Sequence, residues 1–354
     1  MNTQSVLFEE MPGAAGNLGV ITLNRPDVLN SLNHDMITAM HPKLSEWAAA
    51  SEIKAVVIRA VPGRAFCAGG DIRQVYEHAR HNNPAMTEFF QKEYQLNRAI
   101  FHFPKPYIAL LDGITMGGGV GLSLHGSHRV ATERLMFAMP ETGIGFFPDV
   151  GGTYFLPRLP AATGYYLGLT GARLKADDCT TLGLSTHKIS ESALPDVLQS
   201  LCDTAFQADA RQSVSTILEQ FSSAPSTETD LCKAQVELQH CFQAATIEDI
   251  MQRLRASSMP LCQDAYTQLQ KKSPTSLKVT LQALNNGKNL NFDACMRQEF
   301  RLVSRFLLAH DFIEGIRAVI VDKDQSPVWQ PSTLAEVADS SVEQYFAPLS
   351  KELA

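Results

Sequence analysis

The alternation of apolar and polar positions divides the chain near residue 192. Ahead of that point, short β-rich runs interleave with stretches of helical period. "LGVITLN" (18–24) reads as a strand, and "NSLNHDMITAMHPKLSEWAA" (30–49) is amphipathic with helical spacing. "IKAVVIRA" (53–60) is apolar enough for a buried strand. A polar helical region then runs to about residue 100, and "KPYIALLDG" (105–113) is another buried strand. Glycines 117–119 precede a helix-like "VGLSLHGS", and "RVATERLMFAMP" (129–140) reads as one further strand. This order predicts an α/β fold.

Beyond residue 192 the pattern is helical almost throughout. "EDIMQRLRAS" (248–257) and "DACMRQEFRLVSRFLLAH" (293–310) carry helical periods. In "SPTSLKVTLQALNNG" (273–287), Ser273 is placed as N-cap, Pro274 at the first helical position and Gly287 as C-cap. "SSAPSTETD" (222–230) is the clearest loop. With no low-complexity tract and no long linker, the expected organisation is an α/β core over residues 1–200 and a mainly helical region over 201–354 packing on it.

Composition narrows the function classes. With 45% hydrophobic and 19% charged residues, the 354-residue chain is built to fold rather than to stay disordered. A net charge of -7 and a pI near 5.8 weigh against nucleic acid and anionic membranes as partners. The seven cysteines (67, 179, 202, 232, 241, 262 and 295) form no CxxC pair, and their odd number suits reduced thiols in a reducing compartment. "MNTQSVLFEEMPG" lacks the marks of a secretion signal or transit peptide, and no apolar run reaches transmembrane length, so the expected location is the cytoplasm.

Candidate chemistry gathers at two glycine runs and one acidic stretch. Gly117, Gly118 and Gly119 follow a strand and open a helix, and Gly69 and Gly70 in "FCAGGD" precede a second helix start that Asp71 can cap. Neither run has the spacing of a dinucleotide fingerprint or a P-loop, but two helix starts lined by glycine can offer two backbone N–H groups to an oxyanion. Cys67 and Ser123 are better read as packing residues than as nucleophiles, and His125 and His128 lack a third metal ligand. Lys323 in "DKD" fits a phosphate contact and a surface turn equally. "PETGIGFFPDVGG" (140–152) sets Glu141 and Asp149 among apolar and turn residues, where an ionised carboxylate is costly unless it is paired or shifts its pKa.

"LNRPDVLNSLN", "GRAFCAGGDI", "KPYIALLDGITMGGGVGLSLHGSHRVAT" and "FAMPETGIGFFPDVGGTYFLPRL" together resemble the crotonase (enoyl-CoA hydratase/isomerase) superfamily, and the C-terminal "HDFIEGIRAVIVDKDQSPVWQP" resembles its thioester-hydrolase subgroup. The resemblance covers nearly the whole chain. It implies a spiral of ββα units with a helical C-terminal region and a CoA thioester as substrate. The thioester carbonyl would lie between the N–H groups of Gly70 and Gly118, with Gly117 beside them. CoA would run along Arg25 and Val28 and along Ala68, Gly69, Gly70, Asp71 and Ile72, and Glu93 would face a hydroxyl on the acyl group. Trimers or hexamers are the family's usual assemblies. No metal is implied, and no cofactor beyond the CoA of the substrate.

Hydratases of the superfamily carry a glutamate just inside the glycine helix, paired with one at the position of Glu141. Here that first position is Gly121, and Asp149 stands where hydratases usually have a small residue. The resemblance therefore implies thioester hydrolysis by a Glu141–Asp149 pair. Two alternatives stay open: a hydratase or isomerase acting on an enoyl-CoA, and a CoA-thioester-binding protein without activity.

Overall fold

A computed structural model describes residues 4–80, 85–206 and 209–353. Val6–Met11 (β1) and Asn17–Leu23 (β2) form an antiparallel pair. From there the chain repeats one step, placing a strand in a larger sheet, the next strand in a smaller one, and then a helix. Ile53–Ala60 (β3) lies parallel to β2, and Ala65–Cys67 (β4) begins the smaller sheet. Tyr107–Leu111 (β5) joins β3 and Ile114–Met116 (β6) joins β4, both in parallel. His128–Ala131 (β7) follows beside β5 and Met136–Ala138 (β8) beside β6. Leu174–Lys175 (β9) pairs antiparallel with β8, and His187–Lys188 (β10) closes the larger sheet parallel to β7. The result is a six-stranded sheet in the order β1-β2-β3-β5-β7-β10 and a four-stranded one in the order β4-β6-β8-β9.

The apolar runs of β2, β3 and β5 are continuous because these strands are buried along most of their length. Leu18, Val20, Val57, Ile108 and Leu110 pack with Val197, Leu201, Val214 and Leu218 of the helices Leu194–Asp203 and Ala210–Phe221. The amphipathic segment 30–49 becomes the helix His34–Ala49, which starts late because Leu29 and Asn30 take left-handed backbone and Asn33 caps it, accepting from the Met36 N–H at 3.0 Å. The polar helical region is two helices, Ile72–Arg80 and Ala85–Phe101, and residues 81–84 lie outside the described residues.

Two local expectations are corrected. "RVATERLMFAMP" is not one strand: it is β7 and β8, in different sheets, separated by a turn in which the Leu135 N–H donates to the Thr132 carbonyl at 3.0 Å. The Thr132 hydroxyl secures that turn by donating to Asp112 Oδ1 at 2.8 Å. In the helix Pro274–Gly287, Ser273 caps as expected, accepting from the Ser276 N–H at 3.1 Å. Gly287, however, is the last helical residue, and the C-cap is Lys288 in ordinary right-handed backbone. Glycine is needed there for space, since a Cβ would stand 1.9 Å from the Thr153 carbonyl oxygen.

The chain forms two compact units, neither of them a single run of sequence. The first comprises residues 1–70, 95–137 and 174–227, and the second 71–94, 138–173 and 228–354. Both sheets belong essentially to the first unit, while the second is helical apart from short loops. Gly287→Ala is expected to cost about 3 kcal/mol of stability, because the Thr153 backbone must give way. Denaturant unfolding measures this, and a loss below about 1 kcal/mol would contradict the close approach.

Candidate active site

In the first unit, the parallel pairing of β4 and β6 sets Cys67 opposite Thr115, so two glycine turns leave neighbouring strands at their carboxyl ends. That edge is where open α/β sheets hold ligands. A Cβ at Gly69 would lie 3.9 Å from the Gly118 nitrogen, which puts the two turns side by side. Gly118 opens the helix Gly118–Ser123 after Gly117, where first-turn N–H groups have no intrahelical acceptor. Among the described residues, no backbone acceptor pairs with the Gly70 N–H. Gly119 lets the helix approach this closely, since a Cβ would meet the Cys67 carbonyl oxygen at 2.3 Å.

Of the residues expected to carry CoA, Arg25, Val28 and Ala68 to Gly70 lie in the first unit, and Asp71 and Ile72 begin a segment of the second. The Ala68 N–H donates to the Leu29 carbonyl at 3.0 Å, and the Leu32 N–H to the Gly69 carbonyl at 2.8 Å. Arg25 helps shape this loop: its N–H donates to Asn30 Oδ1 at 2.7 Å and its guanidinium to the Ser31 carbonyl at 2.6 Å. Val28 is 46% exposed, a large apolar side chain open to a ligand. Asp71 precedes the helix that Ile72 begins, its carbonyl accepting from the Gln74 N–H at 2.9 Å.

The acids lie in the second unit. Glu93 comes from the helix Ala85–Phe101, Glu141 opens the single turn Glu141–Ile144, and Asp149 precedes the short helix Gly152–Phe155. A fourth acid, Glu299, comes from the helix Phe292–Phe306, and all four are buried. The Tyr94 hydroxyl donates to Asp149 Oδ2 at 2.8 Å. Glu93 Oε1 and Glu141 Oε2 are buried without a hydrogen-bond partner. Glu299 is fully engaged: Oε2 accepts from the Gly151 N–H at 2.8 Å, and Oε1 from the Thr153 N–H at 2.9 Å and the Thr153 hydroxyl at 2.6 Å.

Burial sets the electrostatics. It pushes Asp149 up to about 7, against the Tyr94 hydrogen bond that favours the charged form. Burial and then the charge of Asp149 hold Glu141 well above the ordinary carboxylate range, with Lys272 acting the other way. Glu93 is raised by the same two causes, and burial lifts Glu299 to about 8 despite its donors. Lys272 is itself lowered to about 8 by burial, although Glu141 favours its charged form. The acids titrate as an interacting set, each raised above the ordinary carboxylate range.

The turn after Asp149 is strained. Val150 has φ +48°, a left-handed value that a β-branched residue adopts at a cost of about 1–3 kcal/mol, and Gly151 follows at +88°. Tyr94, Lys272 and Glu299 were not legible as site residues. For Glu299 a signal existed: it falls on the apolar stripe of its helix with Phe292, Cys295, Met296, Val303 and Phe306.

The other candidates are structural. The Ser123 hydroxyl donates to the Gly119 carbonyl at 2.8 Å, and Cys67 is a buried strand residue. His128 has Ser127 Oγ at 2.8 Å from Nδ1 and Ser215 Oγ at 3.0 Å from Nε2, and burial lowers it to about 4. Among the described residues no group of three or more His, Cys, Asp or Glu side chains is placed to hold a metal ion. Lys323 lies in a left-handed turn between Asp322 and Asp324, which both bond Arg317.

With both strand-end glycine turns and the buried acids in place, the comparisons fall into order. The pattern of the enoyl-CoA hydratase/isomerase family matches residues 18–346, and the chain belongs to that family. Within it, the mitochondrial 3-hydroxyisobutyryl-CoA hydrolase of Rattus norvegicus is 43% identical over 353 residues, 98% of this chain and 90% of that protein. The Homo sapiens protein of the same name is 42% identical over 350 residues, 98% and 89% of the two chains. Among solved structures, a carnitinyl-CoA dehydratase from Mycobacterium thermoresistibile superposes with a TM-score of 0.91 at 36% identity, covering 99% of both chains. An enoyl-CoA hydratase from Rhodobacter sphaeroides gives 0.89 at 36%, covering 99% of this chain and all of that one (100%). The fold is the crotonase fold that the resemblance implied.

The raised pKa of Asp149 has a consequence for stability. Below its ordinary value of 3.8 the group is protonated whether folded or unfolded, and it is neutral in its effect. Between 3.8 and about 7 the folded state holds a proton that the unfolded state has lost, so stability falls as pH rises, by on the order of 4 kcal/mol in all. Asp149→Asn is therefore expected to be more stable than the wild type at pH 8, with the gap closing towards pH 4. Denaturant midpoints at the two pH values read this out, and equal midpoints at pH 8 would rule it out.

Proposed function

We propose that this protein hydrolyses 3-hydroxyisobutyryl-CoA to the free hydroxy acid and CoA, a step of valine breakdown. The supporting observation is the second acid. Gly121, in the helix Gly118–Ser123, has no carboxylate to pair with Glu141 in the hydratase manner, whereas Asp149 is buried in the same unit as Glu141 and interacts with it electrostatically. The 3-hydroxyisobutyryl-CoA hydrolases similar to this chain span nearly all of it.

In this reading the N–H groups of Gly70 and Gly118 receive the carbonyl oxygen as it becomes anionic. Glu141, as carboxylate, delivers the attack on the carbonyl carbon, either through a water that it deprotonates or through its own oxygen, giving a mixed anhydride that a water then cleaves to the free acid and the restored carboxylate. Asp149 orients that water and tunes the charge of Glu141, and CoA leaves as thiolate. Glu93, with a buried oxygen unpaired, takes the hydrogen bond of the substrate hydroxyl. Arg25, Val28 and residues 68–72 bear the CoA moiety. The reaction takes no cofactor besides the CoA that the substrate brings.

The second reading, hydration of an enoyl-CoA, draws on the names of the solved neighbours. We place the protein in a reducing compartment on its seven free cysteines; the mitochondrial label belongs to the relatives. Among the described residues no helix is long and apolar enough to cross a membrane. Assembly as a trimer or hexamer rests on the family resemblance and is read by sedimentation.

Thiol release from 3-hydroxyisobutyryl-CoA, with little from the saturated ester, is the expected result of a steady-state comparison of hydroxyacyl, saturated and enoyl-CoA substrates. Loss of the enoyl double bond without thiol release would favour the second reading instead. Glu141→Gln and Asp149→Asn should each lower turnover by about a hundredfold or more while CoA affinity stays within about threefold. Near wild-type turnover in both variants would remove these acids from the mechanism.

A further inference from the structure

The turn that presents Asp149 is held from a distance by a residue that the hydrolysis scheme leaves unused. Asp149 is followed by two left-handed residues, Val150 (φ +48°) and Gly151 (φ +88°). The Gly152 N–H donates to the Asp149 carbonyl at 2.7 Å across them and closes the turn. Three further donors of the turn converge on one carboxylate from the far end of the chain. Glu299 accepts from Gly151 N–H, Thr153 N–H and the Thr153 hydroxyl at 2.8, 2.9 and 2.6 Å.

We propose that Glu299 is a positioning residue for Asp149, its carboxylate locking the Val150–Thr153 backbone in the strained form that aims the aspartate. Three donors converge on its two oxygens, and above its pKa of about 8 the ionised group makes charge-assisted bonds, stronger than neutral ones. Glu299 is fully buried on the apolar stripe of Phe292–Phe306, where a leucine would pack at lower cost to the helix. What the carboxylate contributes is the turn. Strain at a functional position persists only where the surroundings over-determine it, and two backbone bonds from one side chain do so. Glutamine has the same shape but a single acceptor, so its NH2 would face Gly151 N–H or the two Thr153 donors, donor against donor.

The kinetic part of the test rests on the thioester-hydrolase reading; the exchange part does not. In Glu299→Gln, amide hydrogen exchange at Gly151 and Thr153 should accelerate by more than about tenfold while strand amides of β3 are unchanged. Turnover of 3-hydroxyisobutyryl-CoA should fall by about ten- to a hundredfold with KM within about twofold. In an Asp149→Asn background the same substitution should cost little more, because the clamp acts through Asp149. Thr153→Val removes one donor and keeps the two backbone bonds, so it should fold normally and lower turnover only about threefold. Unchanged exchange at Gly151 and Thr153 in Glu299→Gln overturns the proposal, as does an equal loss with and without Asp149. A wild type that releases no thiol defeats the hydrolase reading alone, and exchange then decides the clamp.

Discussion

Burying Glu93, Glu141, Asp149 and Glu299 in one unit is the constraint on which the site depends. An acid in apolar surroundings must find donors, hold a proton or leave free energy uncollected. The four acids divide these options unevenly. Glu299 takes three donors, Asp149 takes one from Tyr94, and Glu93 and Glu141 each keep an oxygen with none. The best-satisfied acid is thus suited to structure and the least-satisfied ones to substrate. Free energy left unrecovered at those oxygens becomes available as binding and transition-state stabilisation when a ligand supplies their partners.

The first unit meets a different demand. Its repeating step lays β4 and β6 parallel, so that each ends in a glycine turn at the same edge. The groups presented there are main-chain N–H groups, whose polarity does not change with pH. The acids of the second unit do titrate, with Asp149 centred at about 7. The backbone donors of the first unit therefore keep their polarity at any pH, while the acids of the second change theirs.

What was legible in the sequence follows the range of the forces involved. β2, β3 and β5 were readable because a buried strand writes itself as a local apolar run. The split of "RVATERLMFAMP" into β7 and β8 was not, since the partner that secures the turn, Asp112, lies on another stretch of chain. Gly287 looked like a cap because glycine often is one, yet its reason is the Thr153 backbone far away in sequence. Glu141 and Asp149 stood out locally as acids among apolar and turn residues, while Glu93 became a candidate through family resemblance, whose motifs stand in unbroken order. Tyr94 and Glu299 act on partners 55 and 148 residues distant, and no local pattern reports such a contact. A glutamate on an apolar stripe was the one available sign.

The interleaving of the two units has a consequence in time. The first unit lacks a segment until residue 227 has been made, and the second until much of residues 228–354 follows. A ribosome releasing this chain N-terminus first therefore exposes the glycine turns and apolar strands well before their units can close. Such long-range closure slows folding and lengthens the exposure of unpaired strand edges. No single proteolytic cut or truncation can separate one unit from the other, because their segments alternate along the chain.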